Sequence, residues 1–245
     1  MTSSARAGKS LRTPTQGMGA ETHERTVAAS VKYENMIRHP KGFRRARAAL
    51  AEFGLLMLAD SVLPSVATIV AGEPVRGSWW GHARGMDIFR VATALGHDSD
   101  VLGIKLVKGK VTFVWRSLWP ASLSVARSGE AWQTRALSPA ARTLHKHVKN
   151  AGRVSLDELR ERRLKTELGV AARELEVRLL VYAESAHTES GKHAKCLESW
   201  DHWLDRVNYE PAPLASDAAR AELEQAVQKL AAGKAIPALP WNIRG

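Results

Sequence analysis

Apolar positions over 43–59 recur at helical spacing, carried by Leu50, Phe53, Leu56, Met57 and Leu58, until Asp60-Ser61 breaks the run. Pro64 at a first-turn position predicts a short second helix through Val70, packing by Leu63, Val66, Ala67 and Val70. A glycine-punctuated turn, Gly77-Ser78-Trp79-Trp80-Gly81-His82, leads into a third helix over 84–95, with Met86, Phe89, Ala92 and Leu95 able to share a face. The period then changes. Residues 101–107 and 111–115 are β-branched and aromatic, and Lys108-Gly109-Lys110 between them signals a hairpin. A further helix over 118–125 follows, with Trp119 and Pro120 near its start.

The same order returns. Ser138-Pro139 reads as an N-cap and first turn, with Leu144 and Val148 on the apolar side and Asn150-Ala151-Gly152 as the stop. Ser155-Leu156-Asp157-Glu158 is a capping box opening a second helix. A third helix spans 170–180, a more polar hairpin 180–197, and a closing helix 199–207 carries Trp200, Trp203, Leu204 and Val207 on one side. An Ala- and Glu-rich helix over 218–232 and an irregular tail end the chain.

This repeated order predicts an α+β, mainly helical protein built of tandem winged-helix (helix-turn-helix) domains with β-hairpin wings. The expected divisions are an arm over 1–35, domains over 36–135 and 136–209, and a linker, helix and tail over 210–245. The rival architecture is one α+β domain whose two hairpins join a single sheet.

Charge adjusts that picture. The 245 residues carry a net +11, which invites a nucleic-acid partner. Residues 1–47 hold +7 of it, 48–135 and 136–209 hold +2 each, and 210–245 are balanced. The body is therefore only mildly basic. The basic arm reads as disordered, and Arg44, Arg45 and Arg47 at the entry to the first helix are candidate phosphate contacts. One cysteine, Cys196, excludes an internal disulfide and suits a reducing compartment. No apolar run approaches a membrane span and the N-terminus lacks a secretory core, so a cytoplasmic protein without membrane contact is expected.

Trp79 and Trp80 are the most unusual residues, since tryptophan stacks on bases and can wedge a base step. With them, His82, Arg84 and Arg90 form the candidate DNA-contacting start of the third helix. Lys108 and Lys110 stand at the first wing, and Lys192, His193 and Lys195 at the second. His82 and Asp87 could pair for proton transfer, but no nucleophile or second carboxylate accompanies them; a hydrogen-bonding histidine is the simpler reading. His187, His193, Cys196 and His202 include one close pair, His193-x₂-Cys196, whose members face opposite sides of a strand, so no metal and no cofactor is expected. The third helix of the second unit exposes Arg173, Glu174, Glu176 and Arg178. That mixture suits packing or a protein partner better than a DNA groove.

The tandem order over 43–208, with Gly77-Ser-Trp-Trp-Gly-His82 and His187-Thr-Glu-Ser-Gly191, resembles the bacterial winged-helix DNA glycosylases that remove alkylated bases and unhook crosslinks. The resemblance implies base excision from damaged DNA. The family's catalytic Gln-x-Gln or Gln-x-Asp motif has no match among Gln16, Gln133, Gln225 and Gln228, so no catalytic residue carries over. The functional expectation is a non-catalytic protein binding double-stranded DNA. The alternatives are a glycosylase-like repair enzyme, and a scaffold binding a protein partner or itself through 136–245.

Overall fold

The structure, a computed structural model, describes residues 40–162, 167–187 and 193–242. The basic arm 1–35, Lys192 and the hairpin tip 188–192 lie outside the described residues, as do the side chains of His187 and His193.

Helix α1 (Phe43–Phe53) is shorter than its apolar period suggests. Gly54 ends it in the left-handed conformation, φ +76°, where a Cβ would also stand 2.8 Å from Leu118 Cδ1. The chain then extends as β1 (Leu55–Met57), buried throughout. The single helix expected over 43–59 is thus a helix and a strand. Helix α2 (Val66–Ala71) starts later than Pro64, because Ser65 caps it by accepting from the Thr68 N–H. Helix α3 (Gly85–Gly96) matches the expected third helix, and β2 (Val101–Val107) and β3 (Lys110–Trp115) match the hairpin. Their two-residue link, Lys108-Gly109, has φ +54° and +61°, the paired positive values that suit the twist of antiparallel strands.

The first sheet has the order β1-β3-β2, with Leu55 and Leu102 flanking Val114 on the central strand. Alternation along these strands splits the apolar residues between two cores. Leu56 and Phe113 pack with Leu50, Val66, Ile88 and Leu95 of α1–α3. Leu55, Leu102 and Val114 face the opposite way, toward α4 (Trp119–Arg127).

After a short helix α5 (Ala131–Thr134), α6 (Pro139–Ala151) begins where Ser138 accepts from the Ala141 N–H. Then come β4 (Arg153–Ser155), α7 (Leu156–Arg162), α8 (Leu168–Val177), β5 (Tyr182–His187) and β6 (His193–Glu198). The second sheet, β4-β6-β5, repeats the first in strand order, and Leu144, Val148, Leu156, Leu175 and Leu197 form its core. The two hairpins belong to separate three-stranded antiparallel sheets, so the single shared sheet is not formed.

The C-terminal segment returns to the first sheet. Trp200, Trp203 and Leu204 of α9 (Trp200–Val207) and Leu223, Val227 and Leu230 of α10 (Ser216–Ala231) share the core of Leu55, Leu102 and α4. Leu239 in the tail joins it, 1% exposed, and the Lys108 N–H donates to Ala238 O at 2.9 Å. The fold is α+β and mainly helical. Among the described residues, no helix is long and apolar enough to cross a membrane.

Candidate functional site

Trp79, Trp80 and Gly81 make a 3₁₀ turn seated on the first turn of α3. Gly85 permits that seat: a Cβ there would come within 2.9 Å of Trp80 O and 3.0 Å of Trp79 O. The two indoles stack with ring centres 4.2 Å apart, and Trp80 also lies 5.3 Å from the Phe89 ring. Trp79 is half-buried. Trp80 is 57% exposed.

These rings form one wall of a groove of about 570 Å³ running between α3 and β5. Phe89, Thr93 and His97 continue that wall, while Lys105, Glu176, Tyr182 and Glu184 face them. His97 Nδ1 donates to Thr93 O at 2.8 Å. Burial, reinforced by Glu184, pushes the Tyr182 phenol up to about 12, so it is a hydrogen-bond donor at neutral pH. Both acids of the facing wall are ion-paired. Glu176 lies between Lys105 Nζ, at 2.6 Å, and Lys195 Nζ; Glu184 is held by Arg153. The groove thus offers aromatic faces beside hydrogen-bonding and ion-paired side chains.

The candidate cations fare differently from one another. Arg44 and Arg45 are exposed on α1. Arg47, still partly exposed, bonds Asp98 at 2.6 Å and Asp100 at 2.8 Å and lies over the Trp115 ring. Arg84 and Arg90 share Asp87 at 2.7 and 3.6 Å, leaving one net positive charge on the first turns of α3. His82 does not meet Asp87. Its Nδ1 accepts from the Arg84 N–H, and its Nε2 lies 3.4 Å from Glu73.

Lys108 and Lys110 both reach the Asp60 carboxylate, at 3.2 and 3.1 Å. Burial alone would raise the Asp60 carboxyl. The Leu63 and Val62 N–H groups and the two ammoniums outweigh it and hold that carboxyl far below the usual range. These lysines clamp the hairpin to the loop after β1, where the sequence suggested a free wing. Lys195 is likewise committed, to Glu176; Lys192 and the His193 side chain lie outside the described residues.

Helix α8 supplies the clearest correction to the reading of exposed charges. Glu176 is buried; Glu174 accepts from the Ser138 N–H and hydroxyl; Arg178 donates to Trp132 O and Gln133 O. Arg173 alone of the four is exposed. The polar face that suggested a partner protein is satisfied within the chain.

Cys196 and His202 do not join a ligand set: among the described residues no group of three His, Cys, Asp or Glu side chains could hold a metal ion. His202 instead donates to Glu198, which Arg206 and Arg153 also hold. Sequence reading missed the β5 wall of the groove. Tyr182, the one aromatic in a polar strand, was its available signal. No protein-family model, no curated protein and no solved structure matches this chain.

Proposed function

We propose that this chain is a tandem winged-helix protein that binds DNA by stacking an unstacked base on Trp80. The fold part of the reading is supported by two successive helix–strand–helix–helix–hairpin units, each with its last strand at the centre of the sheet. The observation that carries the functional part is Trp80 itself: an indole more than half exposed, stacked on Trp79 and close to the Phe89 ring, at the groove mouth. A large aromatic ring that stays exposed gains little for the fold and leaves surface for a planar ligand. Arg44, Arg45 and the Arg84–Asp87–Arg90 cluster supply modest positive charge on the same half of the molecule.

The groove suits an unpaired or displaced base better than an uninterrupted duplex. The face of α3 that would read a major groove carries Phe89 and Ala92 into the groove, where donors and cations would be needed. The base-excision alternative would use the same groove. Its acids are ion-paired, and none of its residues is assigned a catalytic part.

Fluorescence anisotropy over a salt series, with duplexes containing an unpaired base and with single strands, tests the proposal. Trp80→Ala is expected to weaken binding about 5- to 150-fold, the loss of roughly 1–3 kcal/mol of stacking per base, with the salt slope unchanged. Absence of binding at low salt overturns DNA recognition. Unchanged affinity in the variant overturns the role of Trp80.

A further inference from the structure

We infer that α6 carries a second nucleic-acid contact, a face that grips the phosphodiester backbone through Arg142, Lys146 and Lys149. The inference rests on the DNA-binding reading above and concerns a different surface.

Helix α6 contains no acidic residue. Its apolar side, Ala141, Leu144 and Val148, is buried against the second core. Beside that stripe, Arg142, His145, Lys146 and Lys149 follow one another at helical spacing and line an open cavity of about 430 Å³. Among the described residues no carboxylate lines it; Thr134 and Asn150 complete the polar rim.

This face gathers three exposed cations on successive turns of one helix, none of them paired with a carboxylate, whereas many cations elsewhere in the fold are paired. Arg47, Lys105, Lys108, Lys110, Arg153, Lys195 and Arg206 all meet carboxylates within the fold. Among the described residues, Arg142, Lys146 and Lys149 meet none. Like charges at this spacing cost a helix about 0.2–0.5 kcal/mol per pair. Burial and the Lys149 charge also push His145 down, so it sits among the cations as a neutral hydrogen-bonding group. The fold gains nothing from the stripe, whereas a polyanion laid along it neutralises all three charges.

The dimensions suit a phosphodiester strand. From Arg142 to Lys149 the helix rises roughly 10 Å, against about 3.4 Å of duplex axis per phosphate of one strand. Three successive phosphates therefore fall within reach, with Arg142 able to take one in bidentate fashion. A lipid surface fits less well: a helix that lies on a bilayer exposes large apolar side chains, and among the described residues the exposed large hydrophobic ones lie elsewhere.

The test is the salt dependence of DNA affinity for the full chain carrying R142Q, K146Q and K149Q together. All three side chains are exposed, and an unchanged melting temperature checks that the fold is kept. The slope of log K against log salt is expected to become shallower by about 2–3, at roughly 0.7–0.9 per phosphate, with affinity at low salt at least about tenfold weaker. A charge-matched control, R127Q with K229Q and K234Q, is expected to leave the slope within about 1 of the parent. If the parent binds DNA and the triple variant keeps its slope, the inference fails and the Trp80 reading stands. If the parent binds no DNA, both fail. Vesicles containing phosphatidylserine form the second arm. Vesicle binding that is lost in the triple variant, with the DNA slope unchanged, overturns the assignment in favour of lipid headgroups.

Discussion

Replacing Glu176 by Gln removes the carboxylate that Lys105 on β2 and Lys195 on β6 share from opposite sheets. Glu176 is 6% exposed and the Lys105 side chain 15%, so neither can turn to water without disturbing the packing between α8 and β2. The amide keeps the shape but presents its NH₂ to one of the two ammoniums. Removing one partner of a buried pair costs about 3–5 kcal/mol; Lys195, at 35% exposure, can be rehydrated, which favours the lower end. For a chain of this size about 3 kcal/mol lowers the melting temperature by roughly 6–12 °C, readable by calorimetry or circular dichroism. Two further readings separate a charge effect from a packing defect. Burial already pushes the Lys105 ammonium down, more than Glu176 holds it up. Without the carboxylate its folded-state value falls further below the unfolded one. The unfolded chain then binds more protons, so the variant's deficit narrows as pH rises from 7 toward 10. The double variant K105M/E176M, which replaces the buried pair by apolar atoms, is expected within about 1 kcal/mol of the parent or above it. A Glu176→Gln melting point within about 2 °C of the parent, or a double variant as unstable as the single one, refutes the reasoning.

Acid unfolding should report two of the buried carboxylates, Asp60 and Glu198. Burial tends to raise both, yet Asp60 and Glu198 are lowered by their hydrogen bonds and cationic partners. Their stabilisation is complete above the unfolded-state carboxylate range, about pH 4–5, and is lost as pH falls through the lower folded values. Asp60→Asn is expected to cost about 2–3 kcal/mol at pH 7 and to flatten the acid limb in urea titrations at successive pH values; an unaltered acid limb counts against the Lys108–Asp60–Lys110 clamp. Leu239→Ala should cost about 2–5 kcal/mol in chemical denaturation, because this tail residue fills the core between α4 and α10; a loss under about 0.5 kcal/mol would mean the tail is not part of that core.

Most elements were legible because their signals are local. Ser138-Pro139 opens α6 where the cap and first turn place it, and the hairpin of β2 and β3 shows in the change of period at Val101. Strands β1 and β4 did not show. Each is three residues long, too short to display a period of 2 against one of 3.6, and Leu55–Met57 is buried on both faces. The candidate site was half legible. Trp79 and Trp80 announce themselves by composition, but the opposite wall comes from Tyr182 and Glu184 on another sheet.

The sequence by itself determined the elements, their caps and the places where positive charge is available, since each depends on neighbours within a few positions. Only the tertiary structure decided which of those charges remain free. Lys108 and Lys110 find Asp60 across 48 and 50 residues, and Glu176 finds Lys195 across 19. A polar stripe marks a helix face as unable to sit in an apolar core. Whether that face meets water, as on α6, or an opposite charge, as on α8, follows from the packing of distant segments. At that distance along the chain, local periodicity carries no information.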